Sequence, residues 1–373
     1  LTEANYKKSR VVDLFLELAG MDSPSLFEGK IAAWLKQYFL NQYDVDVEED
    51  GTAGIIGGES GNLLVRIPGN IDCAKKLFAV HIDTVDPCHD KRIIVIGDTI
   101  KTDGKTILGA DDVAGLASIL AALEEVKASA LPHGDLELLF TVAEEKHLLG
   151  SSHIQKGWLK SEVAYILDTS GVPGHAVNQA PGHIDFHFTL TGHAAHAGIA
   201  PETGISAIQA AAEAVSRMRL GRPALGVTAN IGTIHGGTAT NIVAEDCEIT
   251  AECRAQKQED LMSQAEHMED CVRQVCKIRG VKLEVKRHQS YYPFITPEDG
   301  KAAVLFREAC EKSGLDCAFQ TGGGGSDLNH LVRLGIEGIV VATGMENVHS
   351  CQEQLSIKHL LQLETLVVSL MSA

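Results

Sequence analysis

The chain has 373 residues, long enough for one large domain or two moderate ones. Apolar residues make up 45%, and 50 acidic side chains against 32 basic ones give a net charge of −18. That balance argues against nucleic acid or an anionic membrane surface as partner, since both are polyanions, and no stretch is apolar for long enough to span a bilayer.

In chain order, Val11, Val12, Phe15 and Leu18 fall on one face of a helix. Ser25 and Glu28 have the spacing of a capping box ahead of a second helix bearing Phe27, Ile31, Trp34 and Leu35. Residues 44–70 read as strands and turns punctuated by glycine. Residues 77–80 form a branched-aliphatic run of the kind buried in parallel sheets, and His81 and Asp83 follow it. Residues 93–106 read as a hairpin, with turn signals at Gly97-Asp98 and Asp103-Gly104. A helix opens after Asp111, with Leu116, Ile119, Leu120, Leu123 and Val126 as its stripe. Two further apolar runs follow, 136–143 ending in Glu144-Glu145 and 163–167 ending in Asp168.

The pattern then changes to alternating strands and amphipathic helices in the order βαββαβ, the ferredoxin-like order. It resumes with the run 336–344, which leads to His349. The expectation is a catalytic α/β domain over 1–181 and 293–373, with a small α+β domain inserted at 182–292.

Reactive groups in open α/β sheets collect beyond the carboxyl ends of the strands. His81, Asp111, Glu145, Asp168 and His349, with Glu144 beside them, are a ligand inventory for two divalent cations. His81 and Asp83 share one side of an extended segment, so Asp83 is placed to orient the imidazole. Of the two adjacent acids Glu144 and Glu145, one can ligate a cation while the other takes a proton from the attacking water. Asp111 has two carboxylate oxygens and can bridge two ions about 3.5–4 Å apart. Each of these acids, read alone, is a solvated strand end or a helix cap; their recurrence at strand ends carries the reading. The glycines at 322–325, before Ser326, let backbone N–H groups approach a carboxylate or oxyanion closely. The nine cysteines contain no Cys-x-x-Cys and suit reduced thiols. Leu1-Thr2-Glu3-Ala4 lacks a secretion-signal pattern. A cytoplasmic location is therefore the expectation.

Several motifs carry a family resemblance. They are His81-Ile82-Asp83-Thr84-Val85, Gly109-Ala110-Asp111-Asp112, Glu144-Glu145, Asp168, His349, Gly192-His193-Ala194-Ala195-His196-Ala197-Gly198 and Gly237-Thr238-Ala239-Thr240-Asn241. Taken in chain order from 81 to 349, they resemble the two-metal exopeptidases of the aminoacylase/glutamate carboxypeptidase group, and within it the peptidase T (tripeptide aminopeptidase) branch. The resemblance implies a zinc-peptidase-like three-layer αβα catalytic domain with an inserted ferredoxin-like lid and dimerisation domain.

It further implies that Asp111 bridges two metal ions across a cis peptide to Asp112, with His81 and Asp168 at one and Glu145 and His349 at the other. Glu144 is then general base and acid, and Asp83 supports His81. His196 reaches the partner subunit's active site, and Asn241, Arg254, Gly324 and Ser326 bind substrate. Zinc is the implied metal, with manganese or cobalt acceptable to so carboxylate-rich a site. Val113 stands where the branch often has lysine, so contacts at the helix mouth are expected to differ. The implied reaction is aminopeptidase hydrolysis of small peptides by a homodimer. Carboxypeptidase, dipeptidase and N-acyl amino acid deacylase chemistry share the same machinery. A binder without turnover would have no use for Glu144.

Overall fold

A computed structural model describes residues 9–372. The Leu1–Ala4 start read above for a signal lies outside them. The chain divides into two compact units, residues up to Gln179 together with Ile295 onward, and Ala180–Phe294.

The first unit is built on a mixed sheet. Its strands are β1 (Glu48–Glu49), β2 (Leu63–Ile67), β3 (Lys76–His81), β6 (Leu136–Thr141), β7 (Val163–Thr169), β8 (His175–Ala180), β14 (Phe294–Ile295), β15 (Ala318–Thr321) and β16 (Glu337–Ala342). They lie in the order β1-β2-β6-β3-β7-β16-β8-β14, with β15 beside β8. The central strands β6, β3, β7 and β16 are mutually parallel, with His81 opposite Thr141 and Ala342 opposite Thr169. Both faces of β3 and β6 are buried, which is why 77–80 and 138–140 are continuously apolar rather than alternating. All four ligand-bearing runs therefore point their carboxyl ends the same way.

Helices α1 (Arg10–Ala19), α4 (Ala110–Ala128) and α9 (Ile357–Met371) pack together in one layer. Most of α4 is buried, and its many alanines suit that position. Val113 faces this core rather than solvent. Gly115 lets α4 lie against the sheet, since a Cβ there would sit 2.6 Å from the Leu167 carbonyl oxygen. The expected hairpin forms as β4 (Ile93–Ile96) and β5 (Thr99–Thr102), in a second small sheet with β17 (Met345–Glu346) and β18 (Gln354–Ser356).

The capping box at Ser25 and Glu28 does not form. Helix α2 (Gly29–Tyr43) follows Glu28 with no side-chain cap. The Ser25 hydroxyl donates to Asp83 at 2.7 Å, and the Glu28 carboxylate accepts the Ala143 N–H at 3.0 Å. Tertiary partners outcompete the local motif.

The second unit contains β9 (Gly182–Thr191), β10 (Gly221–Ala224), β11 (Val227–Gly236), β12 (Asp246–Ala255) and β13 (Lys282–Tyr291). Their order is β10-β11-β12-β9-β13, antiparallel throughout. Without the short β10 this is the ferredoxin-like order. One face is covered by α5 (Ala207–Arg217) and α6 (Gln258–Arg279), around Ile184, Phe188, Ile249, Leu261 and Val272. Among the described residues no helix is long and apolar enough to cross a membrane.

Candidate metal centre

His81 is the last residue of β3 and is 2% exposed. Its Nδ1 lies 2.9 Å from the Asp83 carbonyl oxygen, with the Asp83 carboxylate farther off at 3.5 Å. The ring is thus oriented mainly by the backbone of Asp83, and Nε2 is turned into the site. There it lies 3.0 Å from Asp111 Oδ1 and 3.8 Å from Asp168 Oδ1. The second Asp111 oxygen is 3.3 Å from His349 Nε2, which in turn lies 2.9 Å from Glu145 Oε1.

Two ligand triads result, His81–Asp111–Asp168 and Asp111–Glu145–His349, each with its ligand atoms within 4.8 Å of one another. Asp111 belongs to both and offers a different oxygen to each. The peptide between Asp111 and Asp112 is cis.

Glu144 and Glu145 follow β6, and Asp83 shapes their turn by accepting the Glu144 N–H at 2.9 Å and the Glu145 N–H at 3.2 Å. Glu144, His81 and Glu145 also form a compact group.

The electrostatics match the geometry. Burial, then the Asp168 charge, pushes the Glu144 carboxyl well above its ordinary range. Burial and Asp111 do the same to Asp168. His81 is held well above the usual imidazole value, because Asp111 and Asp83 outweigh the burial that opposes it. Asp111 and Glu145 raise His349 to about 10. Buried carboxylates crowded in this way are ordinarily paired or coordinate metal. Two imidazoles and three carboxylates sharing one bridging acid are a fitting donor set for a pair of divalent cations.

The glycine-rich loop enters the same neighbourhood through Asp327, whose Oδ2 accepts the Thr141 hydroxyl at 2.5 Å. Ser326 is buried with its hydroxyl unpartnered, and its N–H donates to Asn329 Oδ1. Gly324 is exposed, and a Cβ there would meet nothing. A cavity of about 730 Å³ opens beside Glu145, lined among others by Ser25, Phe27, Thr84, Asp86 and Lys146.

The remaining sequence-derived residues lie in the second unit. His196 is exposed in the loop after β9. The Gly198 N–H donates to its Nδ1 at 3.2 Å, so the neutral ring carries its proton on Nε2, a hydrogen-bond donor. Asn241 is brought beside it, since its carbonyl accepts the Ala197 N–H at 2.9 Å. Arg254 is not. It lies near the far end of β12, eight residues past Asp246 and so about 26 Å along the strand. Its guanidinium donates to Glu252 at 3.0 Å.

Sequence reasoning missed Glu353 as a site residue. This buried acid accepts the N–H groups of Leu108 and Gly109 at 2.7 Å and of Asp111 at 3.0 Å. Its position four residues after His349 was the available signal.

Two families match by sequence, the peptidase dimerisation domain over residues 178–279 and peptidase family M28 over residues 62–203. An uncharacterized protein of Bacillus subtilis, YqjE, is 36% identical over 364 residues, covering 97% of this chain and 98% of that one. Among solved structures, the aminopeptidase PepT of Bacillus cereus is 35% identical, with 97% of each chain covered and a TM-score of 0.91. A tripeptidase of Staphylococcus aureus is also 35% identical over 97% of each chain, with a TM-score of 0.94.

Proposed function

This chain belongs to the peptidase T-like branch of the M20 metallopeptidases, and on that premise we propose that it is a metal-dependent aminopeptidase acting on tripeptides. The observation that carries the reading is Asp111, one oxygen toward His81 and the other toward His349. His81, Asp111 and Asp168 would hold one cation, and Asp111, Glu145 and His349 a second. Zinc suits imidazole and carboxylate donors, and manganese or cobalt are the other candidates. When bound, the pair supplies Lewis acidity toward a water molecule and the scissile carbonyl.

The chain's own residues do the rest. Glu144 accepts a proton from the attacking water on its carboxylate and returns it to the leaving amine. Its burial, then the Asp168 charge, raises its proton affinity above that of an ordinary carboxylate, which suits it to hold the transferred proton. Asp83 keeps Glu144 and Glu145 in place through their backbone N–H groups. The cavity beside Glu145 has room for a substrate residue.

In a homodimer formed through the inserted domain, His196 Nε2–H would stabilise the oxyanion of the other copy, with Asn241 beside it binding substrate. Arg254, Gly324 and Ser326 are proposed as further substrate contacts. The buried Ser326 hydroxyl is the most informative of them, because it has no hydrogen-bond partner among the described residues. The cytoplasm is the proposed location, supported by nine free thiols.

The test is product analysis by mass spectrometry on free tripeptides, dipeptides and N-acyl amino acids, after chelation and readdition of zinc, manganese or cobalt. Metal-restored release of the N-terminal residue from tripeptides is expected. Release of a C-terminal residue, or deacylation, would overturn the aminopeptidase assignment and leave the metal chemistry standing.

A further inference from the structure

We infer that Glu353 is a positioning residue that sets the backbone carrying Asp111 and ties it to the loop carrying His349. The inference rests on the reading that Asp111 bridges two cations. Glu353 is 2% exposed. Its Oε2 accepts two N–H groups, from Leu108 and Gly109, both at 2.7 Å. Its Oε1 accepts the Asp111 N–H at 3.0 Å. Gly109 takes φ +81°, a conformation that L side chains rarely adopt, as the chain turns into α4.

The other end of the link is equally fixed. Glu353 stands four residues after His349, and its own N–H donates to the Ser350 carbonyl at 3.1 Å. The next residues enter β18, where Leu355 pairs with Ile100 of β5. One side chain therefore joins two segments that supply different ligands, Asp111 and His349.

The chemistry explains why the residue is an acid. Burying a carboxylate is costly unless it is hydrogen-bonded, and three N–H donors on two oxygens meet that requirement with charge-assisted bonds. Glutamine is nearly isosteric but offers one acceptor oxygen. If that oxygen takes the Leu108 and Gly109 N–H groups, its NH2 faces the Asp111 N–H, donor against donor. The Asp111 backbone would then shift. Its carboxylate can keep oxygens 3.0 Å from His81 and 3.3 Å from His349 only while that backbone holds its orientation. Glu353 thus preorganises the bridge without touching substrate or cation.

The test compares the full chain with Glu353→Gln. Each is stripped of metal and titrated with zinc against a competing chromophoric chelator. Thermal melting of the metal-free proteins is recorded in parallel. Two zinc ions are expected in the unaltered chain, with affinity for at least one of them falling 10- to 100-fold in the variant. The metal-free variant should melt somewhat lower, since one buried N–H is left without an acceptor. Unchanged zinc affinity, whatever the melting temperature, would mean a purely structural role and would overturn the inference.

If Glu353→Gln does not fold, Glu353→Asp serves. Its shorter arm cannot reach both Gly109 and Asp111, so zinc affinity should again fall; unchanged affinity overturns the positioning role. Failure of the unaltered chain to bind zinc, manganese or cobalt would overturn the two-cation reading itself, and is told apart because it needs no variant.

Discussion

The Asp83 carboxylate holds Glu144 by its backbone, with Oδ1 accepting the Glu144 N–H at 2.9 Å. Its other oxygen takes the Glu145 N–H and the Ser25 hydroxyl. Asp83→Asn keeps the shape but turns one acceptor into a donor. We expect kcat to fall 10- to 100-fold with the circular dichroism spectrum unchanged. Steady-state kinetics at normal kcat would mean that the turn holds its geometry unaided.

Glu144→Gln tests the proton relay. The fold and the cation content should remain, and kcat should fall by about 10²–10⁴. Near-normal turnover would sink the assignment. His196→Ala should also slow the reaction. Mixing the two inactive variants should restore part of the activity if His196 serves a second copy of the chain. A mixture no more active than its components would remove the cross-subunit role.

Glu364 gives a stability prediction with a definite sign. Burial, followed by the charges of Glu125 and Glu124, raises its pKa from 4.5 to about 7. The folded chain therefore binds this proton more tightly than the unfolded chain. The resulting stability is full below 4.5 and is lost as pH rises through about 7. Glu364→Gln should stabilise the protein at pH 8 by about 1 kcal/mol, discounted for partial exposure, and change little at acid pH. Urea midpoints at the two pH values decide it; equal shifts at both would contradict the linkage.

Gly115→Ala probes the approach of α4 to the sheet. The added Cβ would lie 2.6 Å from the Leu167 carbonyl oxygen and from Asp112 Oδ1. Neither can yield cheaply, since one is strand backbone and the other neighbours Asp111. A loss of about 1–3 kcal/mol is expected from overpacking. Chemical denaturation that finds no loss would show that the helix can shift freely.

How much of this was legible in the sequence depends on the range of the interactions. The parallel strands announced themselves because burial on both faces makes the middle of β3 and most of β6 apolar. Polar residues at their ends then stand out, as His81 and Glu144 do. Arg254 was not separable from Asn241 by pattern, because distance along β12 depends on which strand each residue occupies. Ser25 and Glu28 showed a local motif, but their partners, Asp83 and Ala143, lie 58 and 115 residues away. Glu353 has the same character, reaching back 242 residues to Asp111. A loop acid has no periodicity, so apart from its four-residue spacing from His349 nothing in its surroundings marks such a partner.

The place where the chain departs from the sheet has a consequence for its history. Asn178 and Thr296 are joined by two hydrogen bonds, Thr296 N–H to the Asn178 carbonyl at 2.7 Å and the Asn178 amide to the Thr296 carbonyl at 3.0 Å. The exit and return of residues 180–294 are thereby clasped from within the catalytic unit. In evolutionary terms the insertion is a cassette, and its length can drift at little entropic cost because the ends are already closed. Lineages can rework it while the ligand-bearing strands keep their register.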